Sequence, residues 1–113
     1  MTEERRTRQY SVYVVKLRKG ILRNRSFKRA NPKYVKGKPC VYVGSTSKSP
    51  EDRFRAHLND PKQWSRKVKK YGKVLFEWAY RDLPTYATRD EAERAEAEYA
   101  EELRSRGWGV WQN

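Results

Sequence analysis

The 113-residue sequence contains a single cysteine, a single histidine and no apolar run approaching the roughly 18 residues of a membrane helix. A lone cysteine, Cys40, excludes a disulfide framework, and one histidine excludes a zinc site built from paired cysteines and paired histidines. The first residues are charged and contain no apolar segment of the kind found in secretory signal peptides. We therefore expect a cytoplasmic protein with no membrane partner.

Acidic residues are absent from residues 5–50, a stretch that contains 14 lysines and arginines. Eight of the 14 acidic residues of the chain lie between Asp82 and Glu102, and the formal net charge is +13. A basic front half with an acidic back half predicts a polyanionic partner, most simply nucleic acid. The alternative is a basic soluble protein without such a partner.

The length and the aromatic content indicate one small folded domain. A chain of this size fits a single domain, and aromatic residues, 13% of the total, can bury a large area in a small core. We interpret residues 1–9 as a flexible basic arm and residues 10–113 as a single domain. Within that domain, residues 18–39 form a basic insertion with nine lysines and arginines.

Local patterns predict an α/β fold with a small three-stranded central sheet flanked by helices. Runs of β-branched and aromatic residues predict strands over 10–17, 40–44 and 73–80, with residues 110–113 as a further edge segment. Capping residues and periodicity predict helices over 50–59, 60–71 and 89–105, with one or two helical turns around 21–27.

Glu96 stands out on the last predicted helix. It lies four residues after Ala92 and three before Tyr99, so it falls on or beside the apolar stripe. A buried carboxylate requires a cation, a metal or a proton, although an edge position could also reach water or an arginine. Two other glutamates are alternative candidates for the functional carboxylate. Glu98 points about 200° away from Glu96 around the helix, and Glu77 lies in a predicted strand.

Two further pairs of residues are candidates for chemistry. Arg53 and His57 are four residues apart on one predicted helix, where they could grip a phosphate or form a solvated face. Tyr13 and Tyr42 lie in the first two strands, where core packing is the ordinary role of a tyrosine. Gly44 follows Tyr42 and would let backbone approach a ligand closely.

Taken together, these residues resemble the GIY-YIG nuclease family from about Tyr10 to the end of the chain. The segments that carry the resemblance are Ser11-Val12-Tyr13, Tyr42-Val43-Gly44, Arg53 with His57, and a helical glutamate. The first motif lacks its glycine, and the basic insertion lengthens the spacing between the two tyrosines. Glu96 matches the position of the family's metal-binding glutamate, and Asn113 lies where the family often has a closing asparagine.

The resemblance implies a divalent-metal-dependent endonuclease that hydrolyses phosphodiester bonds. It implies catalytic roles for Tyr13, Tyr42, Arg53, His57 and Glu96, with Gly44 and Asn113 as accessory residues. Glu96 would hold one Mg²⁺ or Mn²⁺ ion, and Arg53 would offset charge on the reacting phosphate. Either tyrosine could deprotonate the attacking water if the metal, Arg53 or His57 lowered the pKa of that tyrosine, and His57 could instead accept its proton.

The basic segments are predicted to bind backbone phosphates, which gives affinity without sequence information. We therefore expect low sequence specificity, DNA rather than RNA as substrate, and a monomer. An alternative is a catalytically inactive nucleic-acid-binding module on the same fold, and a third possibility is a structural protein of a ribonucleoprotein. The predicted phosphate-binding residues are Arg23, Arg25, Lys28, Arg29, Lys33, Lys62, Arg66, Lys69 and Lys70.

Overall fold

The computed structural model describes residues 9–59 and 66–112, without the side chains of residues 56–59, 66, 67 and 69. Most of the predicted N-terminal arm, residues 1–8, lies outside this part. The strands are β1 (Tyr10–Leu17), β2 (Cys40–Thr46), β3 (Gly72–Leu75), β4 (Thr85–Tyr86) and β5 (Gly109–Gln112). The α-helices are α1 (Arg25–Ala30), α2 (Pro50–Asn59), α3 (Arg66–Tyr71) and α4 (Arg89–Ser105), and Lys19–Arg23 and Glu77–Ala79 are 3₁₀ helices. None of the helices in the described ranges is long and apolar enough to cross a membrane.

The predicted α/β fold is confirmed, but the sheet has five strands rather than three. The strand order is β3-β1-β2-β5, and β4 also pairs with β1. The central pair β1 and β2 is antiparallel with Tyr13 opposite Gly44, whereas β5 runs parallel to β2. The two-residue strand β4 is too short to show the alternating pattern by which a strand is recognised in a sequence.

Both faces of the sheet are covered, which explains the continuous apolar character of its central strands. Val12 and Val14 point to the face covered by α4. Tyr13, Val15 and Tyr42 point to the opposite face, with the insertion, α2 and α3. Consecutive buried residues are expected for strands that have helices on both sides. The two tyrosines therefore share one face, as their positions on neighbouring strands require.

The prediction of a strand over 73–80 is wrong beyond Leu75. The backbone N–H of Phe76 still donates to the carbonyl oxygen of Val14 at 2.8 Å, after which the chain turns into the 3₁₀ helix. This turn buries Ala79 in the core beneath α4 and leaves Trp78 61% exposed. Burial of a few apolar groups therefore outweighs the strand preference of this aromatic segment.

The basic insertion is anchored to the core. Ile21 and Phe27 are fully buried. The Asn31 amide donates to the carbonyl oxygens of Phe27 at 2.8 Å and Val110 at 3.0 Å, and its Oδ1 accepts from the Val110 N–H at 2.8 Å. These contacts fix the insertion against β5, on the same sheet face as Tyr13 and Tyr42.

The helix ends follow the capping signals in the sequence. Ser49 Oγ accepts the Asp52 N–H at 3.1 Å at the start of α2. At the start of α4, Thr88 and Glu91 form the predicted reciprocal capping box. The predicted helices 50–59 and 89–105 are therefore confirmed. Of the predicted helix 60–71, residues 66–71 form α3 and the rest lies outside the described residues.

Candidate active site

Two buried tyrosines form the centre of the candidate site. The ring centroids of Tyr13 and Tyr42 are 6.3 Å apart, and the side chains are 0% and 1% exposed. The antiparallel register of β1 and β2 produces this arrangement, because it places Tyr13 opposite Gly44 and Tyr42 opposite Val15. The sequence motifs of the two strands therefore meet as one structural unit.

Gly44 gives the Tyr13 side chain the space that it occupies. A Cβ atom added at Gly44 would lie 2.7 Å from the Tyr13 hydroxyl oxygen and 2.8 Å from the ring carbon that bears it. Contacts this short are repulsive, and the fully buried Tyr13 ring has no solvent into which it could move. Close approach of a ligand to the backbone was the sequence-based interpretation of this glycine. The structure shows instead that a neighbouring side chain packs over it.

We expect Gly44→Ala to lower the free energy of unfolding by about 1–3 kcal/mol, because overpacking a rigid core forces side chains away from their preferred geometry. Urea unfolding monitored by circular dichroism measures this change. The matched control is Gly20→Ala, since a Cβ there would meet the Tyr71 ring at an ordinary 3.8 Å. Equal urea midpoints for the two variants would contradict the packing role of Gly44.

Burial raises the pKa of both tyrosines far above the ordinary value for a phenol, because the charged form loses its hydration. The Arg53 guanidinium, on α2, opposes this effect at both residues. The Glu96 carboxylate raises both pKa values further by electrostatic repulsion. The four groups, drawn from β1, β2, α2 and α4, therefore form one electrostatically coupled cluster.

The cluster treats its two tyrosines unequally. The Arg53 guanidinium lowers the pKa of Tyr13 both by its charge and by a hydrogen bond, and so favours the ionised form of Tyr13. It acts on Tyr42 by its charge alone, and a negative charge on Tyr13 raises the pKa of Tyr42 by repulsion. Tyr13 is therefore the better placed of the two to carry a negative charge.

Glu96 lies on the buried side of α4, at 3% exposure. Ala92 and Ala100, one turn before and one turn after it, are fully buried. Ser45 Oγ donates a hydrogen bond to Glu96 Oε1 at 2.9 Å, which ties the helix to the end of β2. The two rival carboxylates, Glu98 and Glu77, are both exposed.

A polar cleft of about 300 Å³ opens beside this cluster. Arg53 and Ser45 are part of its lining, and they interact with the buried Tyr13 and Glu96 respectively. The cleft therefore gives a solvent-borne substrate access to Arg53 and to the serine that binds Glu96, while Tyr13, Tyr42 and Glu96 lie behind these residues. Its lining residues are Tyr10, Ser45, Thr46, Ser47, Lys48, Arg53, Arg89 and Glu93.

Four cleft residues, Tyr10, Ser45, Lys48 and Arg89, could not be recognised as site residues from sequence patterns. Ser45 and Lys48 immediately follow the Tyr-Val-Gly motif of β2, and Arg89 is the first residue of a helix with a recognisable cap. For Ser45 and Lys48, closeness to this motif in the sequence was the available signal. The sequence could not show that the start of α4, which carries Arg89, lies near the end of β2.

Other predicted site residues fall partly outside the described structure. The backbone of His57 lies one helical turn beyond Arg53 in α2, but its side chain is not among those described, and neither is Asn113. Lys62 and the side chains of Arg66 and Lys69 also lie outside the described part. The exposed members of the predicted phosphate-binding set are Arg23, Arg25, Lys28, Arg29, Lys33 and Lys70.

The donor set around Glu96 suits a metal ion that keeps much of its water. The described residues contain no group of three or more histidine, cysteine, aspartate or glutamate side chains that could enclose a metal. A single carboxylate beside a polar cleft is nevertheless a suitable anchor for Mg²⁺, which commonly keeps several waters and binds substrate phosphate. Glu96 fits this description, with one of its oxygens oriented by Ser45.

The sequence profile of the GIY-YIG catalytic domain matches residues 9–109, which is nearly the whole chain. No curated protein and no solved structure matches the chain significantly.

Proposed function

Since the chain belongs to the GIY-YIG catalytic-domain family, a family of nucleases, we propose that it is a divalent-metal-dependent endonuclease. In this proposal it hydrolyses phosphodiester bonds of nucleic acid, DNA rather than RNA, with low sequence specificity. The observation that carries the proposal is that the half-buried Arg53, beside a polar cleft, and the buried Glu96 both act electrostatically on the buried pair Tyr13 and Tyr42.

Arg53 binds and neutralises the reacting phosphate. Its guanidinium lies at the boundary between the cleft and the buried tyrosines, half-buried on α2. A fixed cation in a partly desolvated site stabilises the negative charge that develops on a phosphoryl group in the transition state. Because the same cation also favours the ionised form of Tyr13, Arg53 acts on both the general base and the reacting phosphate.

Tyr13 is the general base that removes a proton from the attacking water. Of the two tyrosines, it is the one whose hydrogen bond with Arg53 favours the phenolate. Tyr42 packs beside Tyr13, with the ring centroids 6.3 Å apart, and so fixes the position of the Tyr13 ring. Since burial holds both pKa values high, the proton leaves Tyr13 only when positive charge in the loaded site compensates for the lost hydration.

Glu96 holds the single divalent ion, Mg²⁺ or Mn²⁺, and Ser45 orients its carboxylate. When bound, such an ion supplies a Lewis acid that polarises a phosphoryl oxygen and stabilises the leaving oxygen. The burial of Glu96 and its bond to Ser45 hold the carboxylate in one direction before the substrate arrives. Fixed orientation of this kind is what ligands of catalytic metals obtain from neighbouring hydrogen bonds.

Lys48 and Arg89 bind the phosphates that flank the scissile bond. Both are exposed and line the cleft together with Arg53. Lys48 follows β2 in the chain, and Arg89 is the first residue of α4. Contacts of this type position a nucleic acid without reading its bases.

We expect Lys48→Gln and Arg89→Gln each to raise KM several-fold with little change in kcat, because they remove uniform binding energy rather than transition-state contacts. Steady-state cleavage kinetics at low salt measure both constants. The control is Lys73→Gln, which removes an exposed cation on β3 that does not line the cleft. A loss of kcat without any change in KM would refute the positioning role of these residues.

Cleavage of matched, end-labelled single-stranded DNA, duplex DNA and RNA tests the proposed function directly. Reactions at low salt with Mg²⁺, with Mn²⁺ and with EDTA reveal metal dependence, and the substrate that is cut fastest gives the preferred class. We expect metal-dependent cutting of DNA that EDTA abolishes. Salt-sensitive binding of all substrates without any cutting would overturn the enzymatic assignment and leave a binding module on a nuclease fold.

A further inference from the structure

The insertion carries a group of exposed, uncompensated cations, which we call the insertion surface. It comprises Arg18, Arg23, Arg25, Lys28, Arg29, Lys33, Lys36 and Lys38, all exposed. None of them forms an ion pair with a residue that the structure describes. Neither the 3₁₀ helix Lys19–Arg23 nor α1 contains an acidic residue. A concentration of positive charge like this one attracts a phosphate backbone.

This surface lies at the opposite end of the sheet from the cleft. The insertion leaves β1 after Leu17 and returns at Cys40, the first residue of β2. The cleft is lined instead by Tyr10 at the start of β1 and by Ser45 near the end of β2. The five steps from Cys40 to Ser45 span about 17 Å at the usual rise of a β-strand.

Helix α3 connects the two ends on the tyrosine face of the sheet. It contacts α2, which carries Arg53, and also the 3₁₀ helix of the insertion. The N–H of Arg18 donates to the carbonyl oxygen of Tyr71, the last residue of α3, at 2.8 Å. The side chain of Lys70 on this helix is exposed. On the tyrosine face of the sheet, α3 therefore lies between the helix that carries Arg53 and the start of the insertion.

The side of the cleft at the start of α4 carries acidic residues. Glu93 lines the cleft there, beside Arg89. Asp90 and Glu91 are exposed in the first turn of the same helix. Negatively charged side chains repel a phosphate backbone, so a nucleic acid that extends from the cleft along α4 gains few contacts beyond Arg89.

We infer that the enzyme grips its substrate on one side of the scissile bond only, the side that runs over α3 to the insertion surface. This inference rests on the proposed function. One strand of a duplex advances 3.4 Å per nucleotide, so the 17 Å between the two ends corresponds to about five nucleotides. A cut therefore requires about five nucleotides on the gripped side and almost none on the other.

Mapping cuts near the ends of a linear duplex tests the inference. A duplex of about three helical turns is labelled at the 5′ end or at the 3′ end of one strand, and all products of the metal-activated enzyme are sized. We expect cuts to stop about five nucleotides from one end of the labelled strand and to approach the other end closely. The end that is protected reveals the polarity with which the strand crosses α3.

The double variant Arg25→Gln/Arg29→Gln assigns the asymmetry to the insertion surface, since the two residues lie four apart on α1 and are both exposed. We expect the protected zone to shrink and the salt dependence of binding to weaken. The control is Arg81→Gln/Arg94→Gln, which removes two exposed cations elsewhere. Circular dichroism verifies that both variants are folded.

Each result decides a different point. Cuts that approach both ends equally in the wild type would overturn the one-sided grip while leaving the nuclease assignment intact. A protected zone that is unchanged in Arg25→Gln/Arg29→Gln would refute the role of the insertion surface. Absence of cutting of single-stranded DNA, duplex DNA and RNA with every metal would overturn the proposed function, and this inference with it.

Discussion

Glu96→Gln should reduce metal-dependent cleavage by at least about a hundredfold, because loss of even an outer-shell partner of a metal ligand commonly costs 10–100-fold. Glutamine has nearly the same shape as glutamate and keeps an oxygen that can accept the hydrogen bond from Ser45 Oγ. The substitution therefore removes the charge that binds the cation and leaves the packing of α4 in place. Initial rates of cleavage with saturating Mg²⁺ or Mn²⁺ measure the loss.

The matched control for this experiment is Glu98→Gln. It makes the same chemical change on the same helix, two residues further on, at an exposed position. We expect wild-type rates from it. Thermal unfolding adds a readout that is independent of catalysis, since an ion that binds only the folded state raises Tm. If Mn²⁺ raised the Tm of Glu96→Gln as much as that of the wild type, Glu96 would not be the metal ligand.

Tyr13→Phe should lower kcat by about 10²–10⁴-fold, the usual contribution of a positioned general base. The ring that packs over Gly44 remains, and only the hydroxyl is removed, so the fold should persist. Tyr42→Phe is the comparison, with a smaller expected loss because its hydroxyl does not accept the proton itself. Single-turnover cleavage at saturating substrate separates this chemical step from product release.

The pH dependence of the rate provides a second test of the base. The active form is the phenolate, and burial raises the pKa of Tyr13 far above its ordinary value. Only a small fraction is ionised at neutral pH, so the wild-type rate should rise about tenfold per pH unit from neutral to mildly alkaline conditions. Tyr13→Phe should lose this dependence. The same slope in Tyr13→Phe and in the wild type would identify another group as the base.

The sequence predicted those features whose causes are local. The stripe position of Glu96 follows from helical periodicity, and its burial in the structure agrees with that pattern. The limits of α2 and α4 follow from side chains that cap their own helix. The two central strands could be recognised because consecutive β-branched and aromatic residues suit a sheet that is covered on both sides.

Features that depend on distant parts of the chain could not be predicted in this way. The contact between Gly44 and Tyr13 depends on the register of β1 and β2, which no single segment encodes. The early end of β3 depends on packing beneath α4, and the place of Arg89 in the cleft depends on where α4 docks. The insertion contributes to the core through the buried side chains of Ile21 and Phe27. Its many cations had indicated a surface segment instead.

The amide of Asn31 joins two segments that are 79 residues apart in the chain, whereas the bond between Ser45 and Glu96 spans 51 residues. The entropy lost on closing a loop grows with its length, and contacts of large sequence separation slow the folding of a domain. The bonds between Asn31 and Val110 can therefore form only when the last strand is in place. A chain in which β5 has not docked lacks these anchors, and the cations of its basic segment are open to any nucleic acid nearby.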